Sequence, residues 1–309
     1  MQNSIRDSRW GDNSDVTRTC YVPWDPDRDW PAVLETISRY IVTLRDTPYT
    51  PVFCKRTLAE LVFDINRLEG TISPTMQEGA TLRAIHNFVT EGTPAPEEVE
   101  WNAEGGRDMA ERSNNRQLFQ CADAAKYLLM EHRDDTLSCE LIVETHRRLM
   151  QGAYDTNRSK RTPVLVGRMR RCDDEEAYAG TWKFMPASIV ERCVEHLAVT
   201  YESLRSRKHP IDLASYLFYE MISIHPFTNG NGRLSRLFMA WSLMRDGLPF
   251  PICFSSGHRS RRNHYMHAIT SARSVDGGNR AELNVILIAS VERTLANYAD
   301  HVKRLADIS

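Results

Sequence analysis

Between His225 and Arg236 the chain reads HPFTNGNGRLSR, which sets a histidine, a glycine turn and two arginines side by side. Gly230 and Gly232 supply the permissive backbone of a phosphate-cradling turn, because residues without Cβ let consecutive amides converge on one anion. Asn231 sits between them. Arg233 and Arg236 fall three apart where a helical pattern begins, so their side chains share one face. The N-terminus beside them has free N–H groups and a dipole that already favour negative charge. His225, just ahead of the turn, is the one side chain of the stretch that takes a proton near neutral pH. Together these residue types describe a base next to a polyphosphate.

Two apolar helical patterns hold this turn. Pro210 opens the first, which carries Leu213, Leu217, Met221 and Ile224. Leu234, Leu237, Phe238 and Trp241 make the second, with Gly247 as its stop and Pro249 beyond. A turn clamped between buried helices is pre-organised for its ligand. Upstream, Leu58, Leu61, Val62, Ile65 and Leu68 repeat at helical spacing up to Glu69 and Gly70. Gly70 reads as the left-handed residue that stops this helix. The Glu69 carboxylate then lies against the negative end of the dipole, which calls for a positive partner.

Further helices are expected over 33–44, 75–92 (Met76, Leu82, Ile85 and Val89 inward), 115–132, 138–150, 190–204, 263–273 and 283–305. His146 lies on an apolar face and reads as a hydrogen-bonded core histidine rather than a ligand. The two prolines of Thr47–Pro51 suggest a junction, and 93–108, rich in Pro, Gly and acid, reads as a loop between lobes. Between Gly152 and Pro186 the period changes. PVLVGRMRRC and TWKFMP flank the acidic turn DDEEAYAG as a β-hairpin with Gly180 near the bend. Its basic limb, Arg168, Arg170 and Arg171, is what an exposed edge carries to blunt pairing.

The string at 225–236 resembles the signature of the Fic (Fido) family, HPFx(D/E)GNGRxxR. His225, Pro226, Phe227, Gly230, Asn231, Gly232, Arg233 and Arg236 agree with it, and Asn229 stands at the acidic position. The resemblance is strong at the signature and looser over the rest of Leu58 to the C-terminus. It implies a mainly α fold, a helical bundle with a small β-hairpin flap near the active site, and transfer of AMP from ATP to a Ser, Thr or Tyr hydroxyl of a target protein. By the same resemblance His225 is the base and Arg233 neutralises developing charge. Gly230, Asn231, Gly232, Arg233 and Arg236 hold the phosphates, and the target docks at the flap around 164–186. Tyr265 and Arg273 lie near the base of the nucleotide by the same resemblance, with core packing the other reading of Tyr265. Many members carry an inhibitory helix, (S/T)xxxE(G/N), whose glutamate pairs with the second signature arginine. Glu69, Gly70 and Thr71 match the end of that pattern over 58–70, while Ile65 stands where Ser or Thr is usual. The expectation is therefore a protein adenylyltransferase restrained by Glu69, using ATP with Mg²⁺ or Mn²⁺.

Asn229 keeps an oxygen at the metal position but lacks the charge a hard cation favours. Disturbing even an outer-shell metal partner lowers affinity roughly 10-fold or more. Catalysis at higher metal, use of Mn²⁺, another phosphate donor, and nucleotide binding without transfer all stay open. So does removal of AMP by the same site.

With 309 residues, 41% of them hydrophobic, and a formal charge of −2, the chain reads as globular: residues 1–50 as an N-terminal arm, 51–309 as the Fic-like domain. Near-neutral charge gives no footprint for nucleic acid, and Arg259, Arg261 and Arg262 form too short a run to change that. The polar start MQNSIRDSRWGDNSD has no apolar core of signal-peptide length, and no later run is long enough to span a bilayer. Cytosol or nucleus is the expected compartment. Seven cysteines without a CxxC pair fit reduced thiols. A homodimer is compatible with the sequence.

Overall fold

The structure, a computed structural model, describes residues 29–72, 77–92, 108–155, 162–252, 259–274 and 279–306. The polar start, Met76, most of the 93–108 loop, Cys20 and Cys253 lie outside them. Helices dominate: α1 Trp30–Leu44, α2 Thr50–Leu68, α3 Glu78–Glu91, α4 Asp108–Lys126, which runs on through a π-helical turn Tyr127–Glu131, and α5 Cys139–Met150. After four short strands come α6 Val190–Arg205, α7 Pro210–Ile224, α8 Asn231–Arg245, α9 Arg259–Ser274 and α10 Ala281–Ala306. Among the described residues no helix is long and apolar enough to cross a membrane.

The α7–α8 pair is the most extensively packed of the described elements. Pro210 starts α7 with its fixed φ, and Leu213, Leu217, Met221 and Ile224 are buried as their spacing predicts. In α8 nearly every residue is buried, polar ones included, because neighbours cover it all round. Gly247, at φ 113°, closes α8: its N–H donates to Met244 O at 3.1 Å and that of Leu248 to Leu243 O at 3.0 Å. The same 6→1 and 5→2 pair ends α2, where Gly70 takes φ 70°, its N–H reaches Arg67 O and that of Thr71 reaches Asn66 O at 2.9 Å. The αL stop thus fixes where the chain turns after Glu69.

Two expectations change. Residues 30–44, assigned to an arm, form α1, whose Trp30, Leu34, Ile37 and Ile41 are buried in one core with the rest. They pack on α10. Thr50 Oγ1 and Tyr298 OH, 2.8 Å apart, tie the junction to the same helix. The hairpin is also smaller than expected. Strands β3 Tyr178–Ala179 and β4 Trp182–Lys183 pair antiparallel around Gly180, while Thr162–Pro163 (β2) pairs with Tyr154–Asp155 (β1). The run 164–171 is no strand: the N–H groups of Gly167 and Arg170 go to the His146 side chain and the Pro226 backbone, and that of Arg171 to the Asp174 side chain.

Candidate active site

His225 ends α7 in the left-handed region, at φ 53°, the sole non-glycine residue with positive φ among those described. Its N–H still closes the helix on Met221 O at 3.0 Å. The ring stacks on Phe184, next to β4, with centroids 3.9 Å apart and planes at 18°. Burial, then the nearby Arg170 guanidinium, push its pKa down to about 4, so the imidazole is neutral at pH 7.

The turn is closed by Asn231. Its Oδ1 accepts from Phe227 N–H at 2.9 Å and its Nδ2 donates to Phe227 O at 2.7 Å. Both ends of the side chain are engaged in closing the loop, and its backbone lies at the start of α8. Gly230, at φ 80°, precedes α8 and packs so closely that a Cβ would stand 2.7 Å from Met150 Sδ. Asn229 Oδ1 accepts the Gly230 N–H at 2.7 Å, and its carbonyl is 3.0 Å from His146 Nε2.

His146 is the hydrogen-bonded core histidine expected, with a positional role the sequence did not show. Gly167 N–H donates to its Nδ1 at 2.9 Å, so Nε2 carries the proton and donates to Asn229 O. Its ring stacks on Phe227 at 3.6 Å and 4°. Burial lowers its pKa to about 4.

The arginines divide. Arg233 is 3% exposed, and its Nη2 meets only the thioether of Met150, at 3.2 Å. Its Nη1 has no hydrogen-bond partner. The neighbouring Cys121 thiol, pushed up to about 11 by burial, provides no counter-charge at neutral pH. Arg236, 4% exposed, pairs through Nη1 with Glu69 Oε1. Glu69 is thus met by the positive partner its position at the end of α2 requires. Its carboxylate lies over the first turn of α8, where a Cβ on Gly232 would stand 2.5 Å from Glu69 Oε1. A side chain at 232 would push the Glu69 carboxylate aside.

Among the described residues no cluster of His, Cys, Asp or Glu is arranged to hold a metal. Asn229 is neutral and its oxygen already bonds the loop, so the chain gives a resident divalent cation no anionic ligand at the signature's acidic position. Arg273, on α9, lies over the rings of Trp182 and Phe184, 4.7 and 5.2 Å from their centroids. The side chains of Tyr265, Arg259, Arg261 and Arg262 are outside the described residues.

Two histidines held neutral make stability pH-dependent. As pH falls through about 6.5 the unfolded chain takes up protons at His146 and His225, whereas the folded chain does so only near 4. Stability is full above the ordinary histidine range and is lost on acidification between the two. From pH 7 to about pH 5 the expected loss is about 2 kcal/mol per histidine. Urea midpoints across that range, with His146→Gln lowering the slope, check it; equal slopes would contradict it.

Residues 136–243 match the family model described as Fic/DOC family. The chain is 27% identical over 134 residues to a Fido domain-containing protein of Dictyostelium discoideum, a match that covers 42% of this chain and 91% of that one. It is 27% identical over 245 residues to protein adenylyltransferase fic-1 of Caenorhabditis elegans, covering 74% and 44%. With protein adenylyltransferase Fic of Drosophila persimilis it shares 44% identity over 131 residues, covering 40% and 22%. The chain thus spans less than half the length of these adenylyltransferases. Among solved structures, a Fic domain containing signaling protein from Bacteroides thetaiotaomicron superposes with a TM-score of 0.63 at 17% identity, covering 86% and 96%. Fic-1 from C. elegans gives 0.61 at 17% identity, covering 87% and 71%. The fold is therefore the mainly helical Fic fold with a small antiparallel sheet. The chain carries a Fic/DOC family domain homologous to protein adenylyltransferase Fic.

Proposed function

We propose that this Fic/DOC domain transfers AMP from ATP to a hydroxyl side chain of a target protein and that Glu69 restrains it. The observation that carries the reading is Arg233: a guanidinium 3% exposed, with an unpartnered Nη1, at the first turn of α8 in the same turn-and-helix segment that the neutral His225 opens. A buried arginine whose nearby carboxylate, Glu69, is already paired with Arg236 is costly unless an anion meets it, and the free amides at the start of α8 favour the same charge. The names of the relatives above support this choice of chemistry.

In this reading the phosphates lie across the start of α8, held by Arg233 and the amides of Asn231 to Arg233, while that of Gly230 stays on Asn229 Oδ1. The target hydroxyl oxygen bonds to the α-phosphorus, and the bond from that phosphorus to the oxygen bridging to the β-phosphate breaks. Pyrophosphate leaves with the electron pair, and His225 takes the hydroxyl proton. Arg233 opposes the charge that builds on the phosphates. The β3–β4 hairpin, whose Tyr178 and Trp182 are 59% and 40% exposed, offers an open edge for an extended target segment within 164–186.

Intact-mass spectrometry tests the reading, using the purified chain with ATP and Mg²⁺ or Mn²⁺ and comparing wild type, Glu69→Gly, and Glu69→Gly with His225→Ala. An AMP adduct on Glu69→Gly that vanishes in the double variant is expected. ATP binding without any adduct would make the domain a nucleotide-binding module instead. Fic-family enzymes generally use ATP with a divalent metal. Restoring an acid with Asn229→Asp is accordingly expected to lower the metal concentration for half-maximal transfer by roughly 10-fold. An unchanged metal titration would show that position 229 contributes nothing to metal use.

A further inference from the structure

We propose that Arg170 is a positioning residue of this site: it holds the left-handed backbone of His225 and locks it to the hairpin, so that base and flap form one rigid unit. Its kinetic consequences rest on the adenylyl-transfer reading, whereas its geometry does not.

A helix C-terminus leaves carbonyls without intrahelical partners, and a residue with Cβ in the left-handed region persists only where its surroundings over-determine it. Arg170 provides both remedies at the end of α7. Its Nη2 donates to Ile224 O at 3.1 Å, its Nε to His225 O at 2.7 Å, and its backbone N–H to Pro226 O at 2.8 Å. One residue thus grips three consecutive carbonyls around the φ 53° turn. The same Nη2 donates to Met185 O at 2.8 Å. Met185 follows Phe184, whose ring stacks on the His225 imidazole. The backbone of the base, the ring of the base and the hairpin's exit are therefore fixed together through one guanidinium.

Arg170 is 2% exposed, so it does not itself meet a target or nucleotide. Its charge faces the negative end of α7. A lysine presents a point charge and cannot reproduce a planar fork across separate carbonyls. The charge has a second effect, since the groups that bear on the His225 imidazole are Arg170 from the 164–171 run, Arg273 from α9 and Glu69 from the end of α2. The two arginines disfavour the imidazolium and Glu69 favours it.

The test uses the full chain with Arg170→Gln and Arg170→Lys, each alone and with Glu69→Gly, and reads AMP transfer together with an NMR titration of the His225 imidazole. With Arg170→Gln the imidazole midpoint is expected to move up towards the ordinary histidine value. The saturating transfer rate is expected to fall about 10-fold or more, with KM for ATP changed less than about 3-fold. With Arg170→Lys the midpoint stays low, yet the rate still falls, which separates fork from charge. A folded Arg170→Gln protein with the wild-type midpoint and rate overturns the proposal, and so does a lysine variant with the full wild-type rate. If Arg170→Gln fails to fold, the lysine variant decides. Absence of transfer in every form would remove the transferase reading alone, because the imidazole titration still reports whether Arg170 sets the environment of His225.

Discussion

On the proposed adenylyl transfer, His225→Ala is expected to lower AMP transfer by about 10³-fold, the middle of the range that a positioned general base contributes, and to leave ATP affinity within about 3-fold. The two effects separate because, in that proposal, Arg233 and the amides at the start of α8 would hold the phosphates, whereas the imidazole would meet only the incoming hydroxyl. Since the ring is neutral at pH 7, almost every molecule is ready to accept the proton. A group with a pKa of about 4 is nevertheless a weak base. Bound polyphosphate corrects this, because negative charge nearby favours the imidazolium and raises the pKa. The acid limb of kcat is therefore expected at higher pH than that of kcat/KM, the first reporting the complex and the second the free enzyme. Alanine is also poorly suited to the left-handed backbone at 225, so His225→Asn, which tolerates that conformation, serves as the second variant. Equilibrium ATP binding and initial rates on both variants decide. Transfer within about 10-fold of wild type in either variant would end the case for His225 as base.

The signature was legible because its residues act locally. Gly230 takes the positive φ a phosphate turn needs, Arg233 and Arg236 begin a helix, and Gly70 stops α2 so that Glu69 ends where its charge needs a partner. The features that escaped the sequence depend on distant backbone. Arg170 stands in a basic run typical of an exposed edge, and nothing local indicates that the carbonyls of 224–226 bury it. The hairpin was expected to be longer because 163–172 alternates. Two of its N–H groups instead serve His146, at Gly167, and Pro226 O, at Arg170, its start pairs with Tyr154–Asp155, and the hairpin around Gly180 is confined to Tyr178–Lys183. Asn231 has the right type for a phosphate ligand, yet its amide closes the loop on Phe227. The apolar pattern of α1 was plain while its partner, α10 at the far end of the chain, was not, so α1 read as an arm.

Glu69→Gly is expected to raise AMP transfer about 10²-fold at ATP concentrations near KM. The Glu69 carboxylate pairs with Arg236 and lies over Gly232, so it takes up an anion position at the start of α8 that a nucleotide phosphate would otherwise share. Displacing it means breaking a charge-assisted pair whose arginine is 4% exposed and whose glutamate is 33% exposed. Discounted for that solvent contact, about 2–3 kcal/mol is reasonable, which corresponds to the stated factor. Glu69→Gln keeps the size without the charge and should fall between. The same substitution has a cost, since it leaves Arg236 without its carboxylate, and the melting temperature should fall by a few degrees. ATP should then stabilise the variant more than wild type, because in wild type part of its binding energy goes to displacing Glu69. At about 100 Kd a ligand adds about 2.7 kcal/mol to the folded state. Thermal melts with and without ATP therefore read the restraint without any target protein. Equal ATP-induced shifts in wild type and Glu69→Gly, together with unchanged transfer, would show that the Glu69–Arg236 pair is a structural contact and not a brake.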